Sequence, residues 1–168
     1  MKTLSTLAVL SLAAAAQALT IDANIGAASP SNYDSNAVWG VGIGSQLNND
    51  FHVGLNYSSL KLVSDVAGVD STARTATVDV TYELNGNGSI RPFVGAGVGC
   101  VWFSQPTIYT KNALVTNLYV GMSFRLSETV DVLLTERNTE MFDVQEIQYG
   151  AKKSINSWQS SASLRFKF

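Results

Sequence analysis

The sequence predicts an all-β protein: an antiparallel, up-and-down, eight-stranded barrel whose apolar side is turned outward into a membrane. Three observations predict it. Apolar and polar residues alternate with a period of two in eight separate segments, which is the strand period. The connections alternate between tight turns and long segments, so successive strands lie antiparallel and side by side. The chain closes on an amphipathic strand whose last residue is aromatic, Phe168, at a place where the end of a soluble chain would fray.

The first segment, Leu19–Ala27, puts Leu19, Ile21, Ala23 and Ile25 on one face. The second, Val38–Leu47, does the same with Trp39, Val41, Ile43 and Leu47, and the third, Phe51–Leu60, with Phe51, Val53, Leu55 and Tyr57. The fourth, Thr75–Leu84, aligns Val78, Val80, Tyr82 and Leu84. The fifth is Arg91–Phe103, with Val94, Ala96, Val98, Cys100 and Trp102 on the apolar side. The sixth, Leu114–Leu126, carries Leu114, Leu118, Val120, Met122, Phe124 and Leu126. The seventh, Val130–Arg137, carries Val132 and Leu134, and the eighth, Ser157–Phe168, carries Trp158, Ala162, Leu164, Phe166 and Phe168. Most approach the roughly 9–11 residues that a tilted membrane strand needs.

Asn48–Asp50, Asn85–Ser89 and Ser127–Thr129 have the Asn, Gly, Asp and Ser chemistry of tight turns. Ala28–Ala37, Lys61–Arg74, Ser104–Ala113 and Asn138–Ile155 read as long loops. Short turns on the periplasmic side and long loops outside are the pattern of an outer-membrane barrel. In that orientation Trp39, Trp102 and Trp158 fall at the outer end of the apolar face. Phe51, Tyr82, Phe124, Phe166 and Phe168 fall at the inner end. Two aromatic girdles at the two interfaces suit rings that are amphipathic.

The stretch RPFVGAGVGCVWF resembles a phosphate-binding glycine loop at first sight. The spacing excludes it: the dinucleotide fingerprint needs G-x-G-x-x-G opening a helix, and here the third glycine comes one position early with no helix after it. Gly95, Gly97 and Gly99 instead share one face of a strand. With Gly26, Gly40, Gly42, Gly44, Gly54 and Gly121 they face away from the apolar side. An eight-stranded barrel has room inside for little beyond side chains, and these glycines make that room.

Residues 1–18 read as a secretory signal peptide: Lys2, then the apolar LSTLAVLSLAAAA, then Ala16-Gln17-Ala18 as a small-x-small cleavage site. This leaves 19–168 as one barrel domain. Removing Lys2 leaves ten basic residues against thirteen acidic ones, which is not a nucleic-acid-binding balance. A single cysteine excludes an internal disulfide, and one cysteine with one histidine does not make a transition-metal site. No cofactor is indicated.

The closing strand SWQSSASLRFKF and the stretch RPFVGAGVG resemble the corresponding parts of small bacterial outer-membrane barrels, the OmpA transmembrane-domain, OmpX-like and opacity-type porin family. The likeness covers the mature chain in pattern and those two stretches in wording. It implies a place in the outer membrane of a Gram-negative bacterium, with outer-membrane lipid around the barrel and periplasmic chaperones in transit. It also implies that Leu164, Phe166 and Phe168 form a terminal signal read by the barrel-assembly machinery. The function it implies is non-enzymatic, a structural or surface-interaction role through the external loops, with a weak pore at most.

The predicted lumen is charged. Asp22, Asp79, Glu83 and Asp131 point inward, as do Arg91, Arg125, Arg137, Arg165, Lys167 and His52. Signs this nearly balanced in a narrow interior predict ion pairs that plug the barrel, because unpaired buried charge is costly. A gate opened by exchange of such pairs is the alternative, and it would make the protein a small-solute porin. A lipid-modifying enzyme is the third reading. It needs a base beside a nucleophile at the outer rim, and His52 falls near the periplasmic end. Cys100 reads as a small apolar filler on the lipid side. Glu140, Asp143, Glu146, Lys152 and Lys153 read as a solvated loop in which a partner site could reside.

Overall fold

The computed structural model describes residues 18–63, 71–84, 87–104, 112–145 and 152–168. Residues 1–17 of the expected leader, with Asn85, Gly86 and Glu146, lie outside the described residues, and Ala18 begins the first strand. Eight strands follow in order: β1 (Ala18–Pro30), β2 (Asn36–Gln46), β3 (Phe51–Leu62), β4 (Ser71–Glu83), β5 (Ile90–Phe103), β6 (Ala113–Arg125), β7 (Val130–Gln145) and β8 (Lys152–Lys167). Each pairs antiparallel with its neighbours in sequence, and β1 pairs with β8, so the sheet closes into a barrel with no free edge.

The register fixes the tilt. The row Met141–Val115–Gly99–Thr77–Asn56–Gly42–Asp22–Arg165–Asp131 passes once around the barrel and returns to β7 ten residues lower, at 131 instead of 141. For eight strands a stagger of this size means strands tilted by about 35–45° and an interior that side chains can fill.

Alternation assigns the faces as the sequence predicts. The outward positions carry large exposed apolar side chains, among them Ile25, Trp39, Leu55, Val98, Leu118 and Leu164. An apolar exterior around a polar interior inverts a soluble sandwich and suits a lipid solvent, in which a closed barrel leaves no backbone group unpaired. Aromatic rings pair on the outward face near both ends of the barrel. Trp39 and Tyr57 meet at 5.8 Å and Tyr57 and Trp102 at 6.1 Å at the loop end, and Phe51 and Tyr82 at 4.9 Å at the turn end.

The strand ends differ from the sequence reading. β7 runs past Arg137 to Gln145 and β8 begins at Lys152, so most of the expected loop Asn138–Ile155 is sheet. Glu140 and Asp143 therefore stand on a strand. β3 and β4 likewise extend into the expected loop Lys61–Arg74, to Leu62 and from Ser71. The outward face turns polar there, at Lys61, Arg74, Asn138 and Glu140, because the strands are leaving the hydrocarbon. The inward alternation continues, through Leu62, Ala73, Thr139 and Met141. A bulge between Met141 and Val144, with Asp143 at φ 55°, bends the end of β7.

Candidate functional site

Among the described residues, the lumen is where the strands bring chemically active side chains together, and it is built in three layers. The layer at the turn end is ionic. Arg165 Nε donates to Asp22 Oδ1 at 2.9 Å and Nη1 to Glu83 Oε1 at 2.8 Å. Arg91 Nη1 stands 3.2 Å from Glu83 Oε2, and Nη2 donates to Ser123 Oγ at 2.7 Å and to Asp131. Lys167 Nζ stands 2.6 Å from Asp131 Oδ2. The order Asp22–Arg165–Glu83–Arg91–Asp131–Lys167 alternates three carboxylates with three cations. The guanidinium groups bridge because each offers several donors in a rigid fork. Arg91 and Asp131 are 1% and 0% exposed, so the chain of pairs is buried inside the barrel.

Above it, Arg137 Nη2 lies 3.2 Å from Asp79 Oδ2, which also accepts from Asn56 Nδ2 at 3.0 Å. The Arg137 guanidinium sits 4.6 Å from the centre of the Tyr119 ring, and the Tyr119 hydroxyl is 2.8 Å from Thr81 Oγ1. Two small cavities remain at this level, of about 50 and 40 Å³, both bordered by Asn24, Asn56 and Arg137. Each has room for a water or two and polar groups to hold it. The answer to the glycine stretch lies here. A Cβ on Gly95 would strike the Tyr119 ring, and one on Gly97 would strike the Asp79 carboxylate. These glycines are seats for the side chains that fill the lumen.

The layer at the loop end is apolar, which the sequence reading did not foresee. Leu62, Val101, Val115, Met141 and Val144 are buried there, packed with Phe103, Ile155 and neighbours. Phe93, Tyr119 and Leu133 form a second small cluster inside. The signal was present in the parity: each of these residues alternates with the lipid-facing ones, except Val144, which the bulge after Met141 turns inward. Ending the strands where their outward face turned polar hid the plug.

Nine of the ten expected lumen residues face inward. Arg125 is corrected: it is exposed at the end of β6, where its backbone NH bonds Ser89 O at 2.8 Å as the chain leaves the ladder. A guanidinium at the rim reaches water and avoids the cost of burial. His52 is buried, with Nε2 2.7 Å from Thr20 Oγ1 at the turn-end level. Cys100 is exposed on the lipid side. Among the described residues no group of three His, Cys, Asp or Glu side chains could hold a metal ion.

A family model described as the outer membrane protein beta-barrel domain matches residues 3–168. No curated relative matches. Among solved structures, the chain resembles Neisserial surface protein A with a TM-score of 0.68 and 20% identity, over 90% of this chain and 96% of that one. It resembles the N-terminal barrel domain of Pseudomonas aeruginosa OprF with a TM-score of 0.59 and 18% identity, over 91% and 98%. The outer membrane enzyme PagL matches with a TM-score of 0.53 and 15% identity, over 86% and 97%. At these identities the likeness is one of fold, and the fold serves proteins with and without catalysis.

Proposed function

Because the chain belongs to the outer membrane protein beta-barrel domain family, and so to the bacterial outer membrane, we propose that it is a non-enzymatic barrel with a blocked lumen that acts through its outward surfaces. One observation supports this reading: the interior holds a charge-balanced ion cluster at the turn end and a buried apolar cluster at the loop end. A porin gate built on pair exchange among the charges would still leave the apolar plug in the path. Displacing that plug exposes buried Leu, Val and Met side chains to water, at about 25 cal/mol per Å² of apolar area. The non-enzymatic reading is supported by His52, whose ring is buried on Thr20 at the wrong level for an outer-leaflet substrate. In the cell, Leu164, Phe166 and Phe168 on the closing strand would present the assembly signal.

The test is uptake of small sugars by vesicles carrying the refolded barrel. Swelling no faster than that of empty vesicles supports the blocked reading. Swelling that scales with protein and falls with solute size would make the protein a porin. Release of fatty acid from purified outer-membrane lipid would make it an enzyme.

A further inference from the structure

Two of the outward faces carry polar groups that lipid does not satisfy. On β7, Glu136 faces the hydrocarbon and receives one hydrogen bond, from Ser160 Oγ at 2.8 Å. It stands six residues above Val130, which pairs with the inner-girdle Phe166, and two below Asn138, which pairs with Trp158 of the outer girdle. Its depth is therefore about three quarters of the way from the inner girdle to the outer one, in the outer part of the apolar band, where a charged group is still disfavoured. Glu140 lies on the same face. Across the barrel, on β3 and β4, Tyr57 and Arg74 also point outward, and neither the Tyr57 hydroxyl nor the Arg74 guanidinium has a hydrogen-bond or ion-pair partner among the described residues.

The register relates the two faces. The row Arg74–Ser59–Trp39–Ile25–Ala162–Leu134 takes five strand steps to reach β7. Ten residues are lost in eight steps, so five steps correspond to about six residues of height. Arg74 thus stands level with Glu140. The row Tyr57–Val41–Ala23–Leu164–Val132 takes four steps, worth about five residues, which sets Tyr57 level with Glu136 to within about one residue. Donors on one side match acceptors on the other, at the same two depths. The faces are about four strands apart in a barrel of eight, which is half a turn.

We propose that the barrel associates with further copies of itself in the plane of the membrane, the β3–β4 face of one copy docking on the β7–β8 face of the next. Arg74 meets Glu140 at the outer interface, and the Tyr57 hydroxyl donates to the Glu136 carboxyl just below the outer girdle. Copies inserted by one route share one orientation, so the matched heights are kept. Opposite faces make the contact heterologous and related by translation, so it propagates as a row and does not close into a ring. Beside Glu136 a shallow groove of about 800 Å³ over Ala96, Leu118 and Val120 gives the neighbouring wall somewhere to seat. The competing occupant of the Arg74 face is the phosphate of an outer-leaflet lipid, which suits a guanidinium but leaves Glu136 unexplained.

The test uses a Cys100→Ser background refolded into phosphatidylcholine vesicles, each variant checked for a folded barrel by its heat-modifiable migration on a gel. A short bis-maleimide should give a ladder of dimer, trimer and higher species from the chain carrying both Ala76→Cys and Asn138→Cys, which flank Arg74 and Glu140 on the same faces and leave the pair intact, and only monomer from either single variant. R74E or E140R alone should lower the multimer fraction of the otherwise native protein about tenfold, and the R74E/E140R swap should restore it. A lipid-phosphate site would be lost in R74E and not regained in the swap, which overturns the proposal. So would monomer alone from the double-cysteine chain, or equal crosslinking of the single variants.

Discussion

Replacing Glu83 by Gln removes one negative charge from a point where two guanidinium groups converge. Glu83 is 4% exposed and bridges Arg165 at 2.8 Å and Arg91 at 3.2 Å. At an effective dielectric of about 20, each pair contributes about 4 kcal/mol of attraction, so the substitution forfeits about 8. Several kcal/mol return, because a neutral amide no longer has to be held away from water as a carboxylate is. The remaining cluster keeps three cations against two carboxylates, and breaking a buried pair in this way costs about 3–5 kcal/mol in net stability. With a urea slope of about 2 kcal/mol per molar, the unfolding midpoint in lipid vesicles should fall by about 2 M. The midpoint is read from tryptophan fluorescence and from the heat-modifiable band. Adding Arg91→Gln makes the cluster neutral again and should recover at least half of the loss. A Glu83→Gln midpoint within about 0.5 M of the native one would refute the reasoning, because it would mean the lumen is wet enough to solvate the arginines.

Three further outcomes follow from the same structure. Gly99→Ala should cost about 1–3 kcal/mol, because its Cβ would meet the Ala76 carbonyl and the Thr77 backbone, which cannot turn aside. Gly54→Ala, whose nearest contacts are at 3.3 Å, should cost far less in the same urea titration. Asn32, at φ 66° in the turn after Pro30, tolerates the left-handed region, and Asn32→Val should lower stability by about 1–2 kcal/mol. Removing Phe168, which is 73% exposed and whose backbone NH bonds Leu19 O at 2.9 Å, should leave in vitro refolding nearly intact. In cells the same truncation should sharply reduce the amount of folded barrel recovered from the outer membrane, measured by fractionation.

The barrel was legible because a two-residue period carries its own register. Trp39, Leu55, Val98 and Leu118 announce the lipid face, and their alternates Asp22, Glu83, Arg91 and Arg165 announce the lumen. Which charge meets which was not legible. Asp22 and Arg165 are 143 residues apart, and only closure of β1 on β8 brings them together. Strand ends were misread where polarity stood in for geometry. Asn138 and Glu140 look like loop residues because their outward side chains are polar, yet the ladder continues through them to Gln145. That error hid Met141 and Val144, and with them the apolar plug. Arg125 was misplaced for a related reason: parity points it inward, but the barrel wall ends there.

A lumen closed at both ends, as proposed, passes no current, and single-channel conductance in a planar bilayer measures this directly. Protein shown to be folded by its gel shift should give a baseline indistinguishable from lipid alone, in both the native form and Gly54→Ala. Discrete current steps from the native protein, growing in number with the amount inserted, would contradict it and place a continuous water path through the barrel.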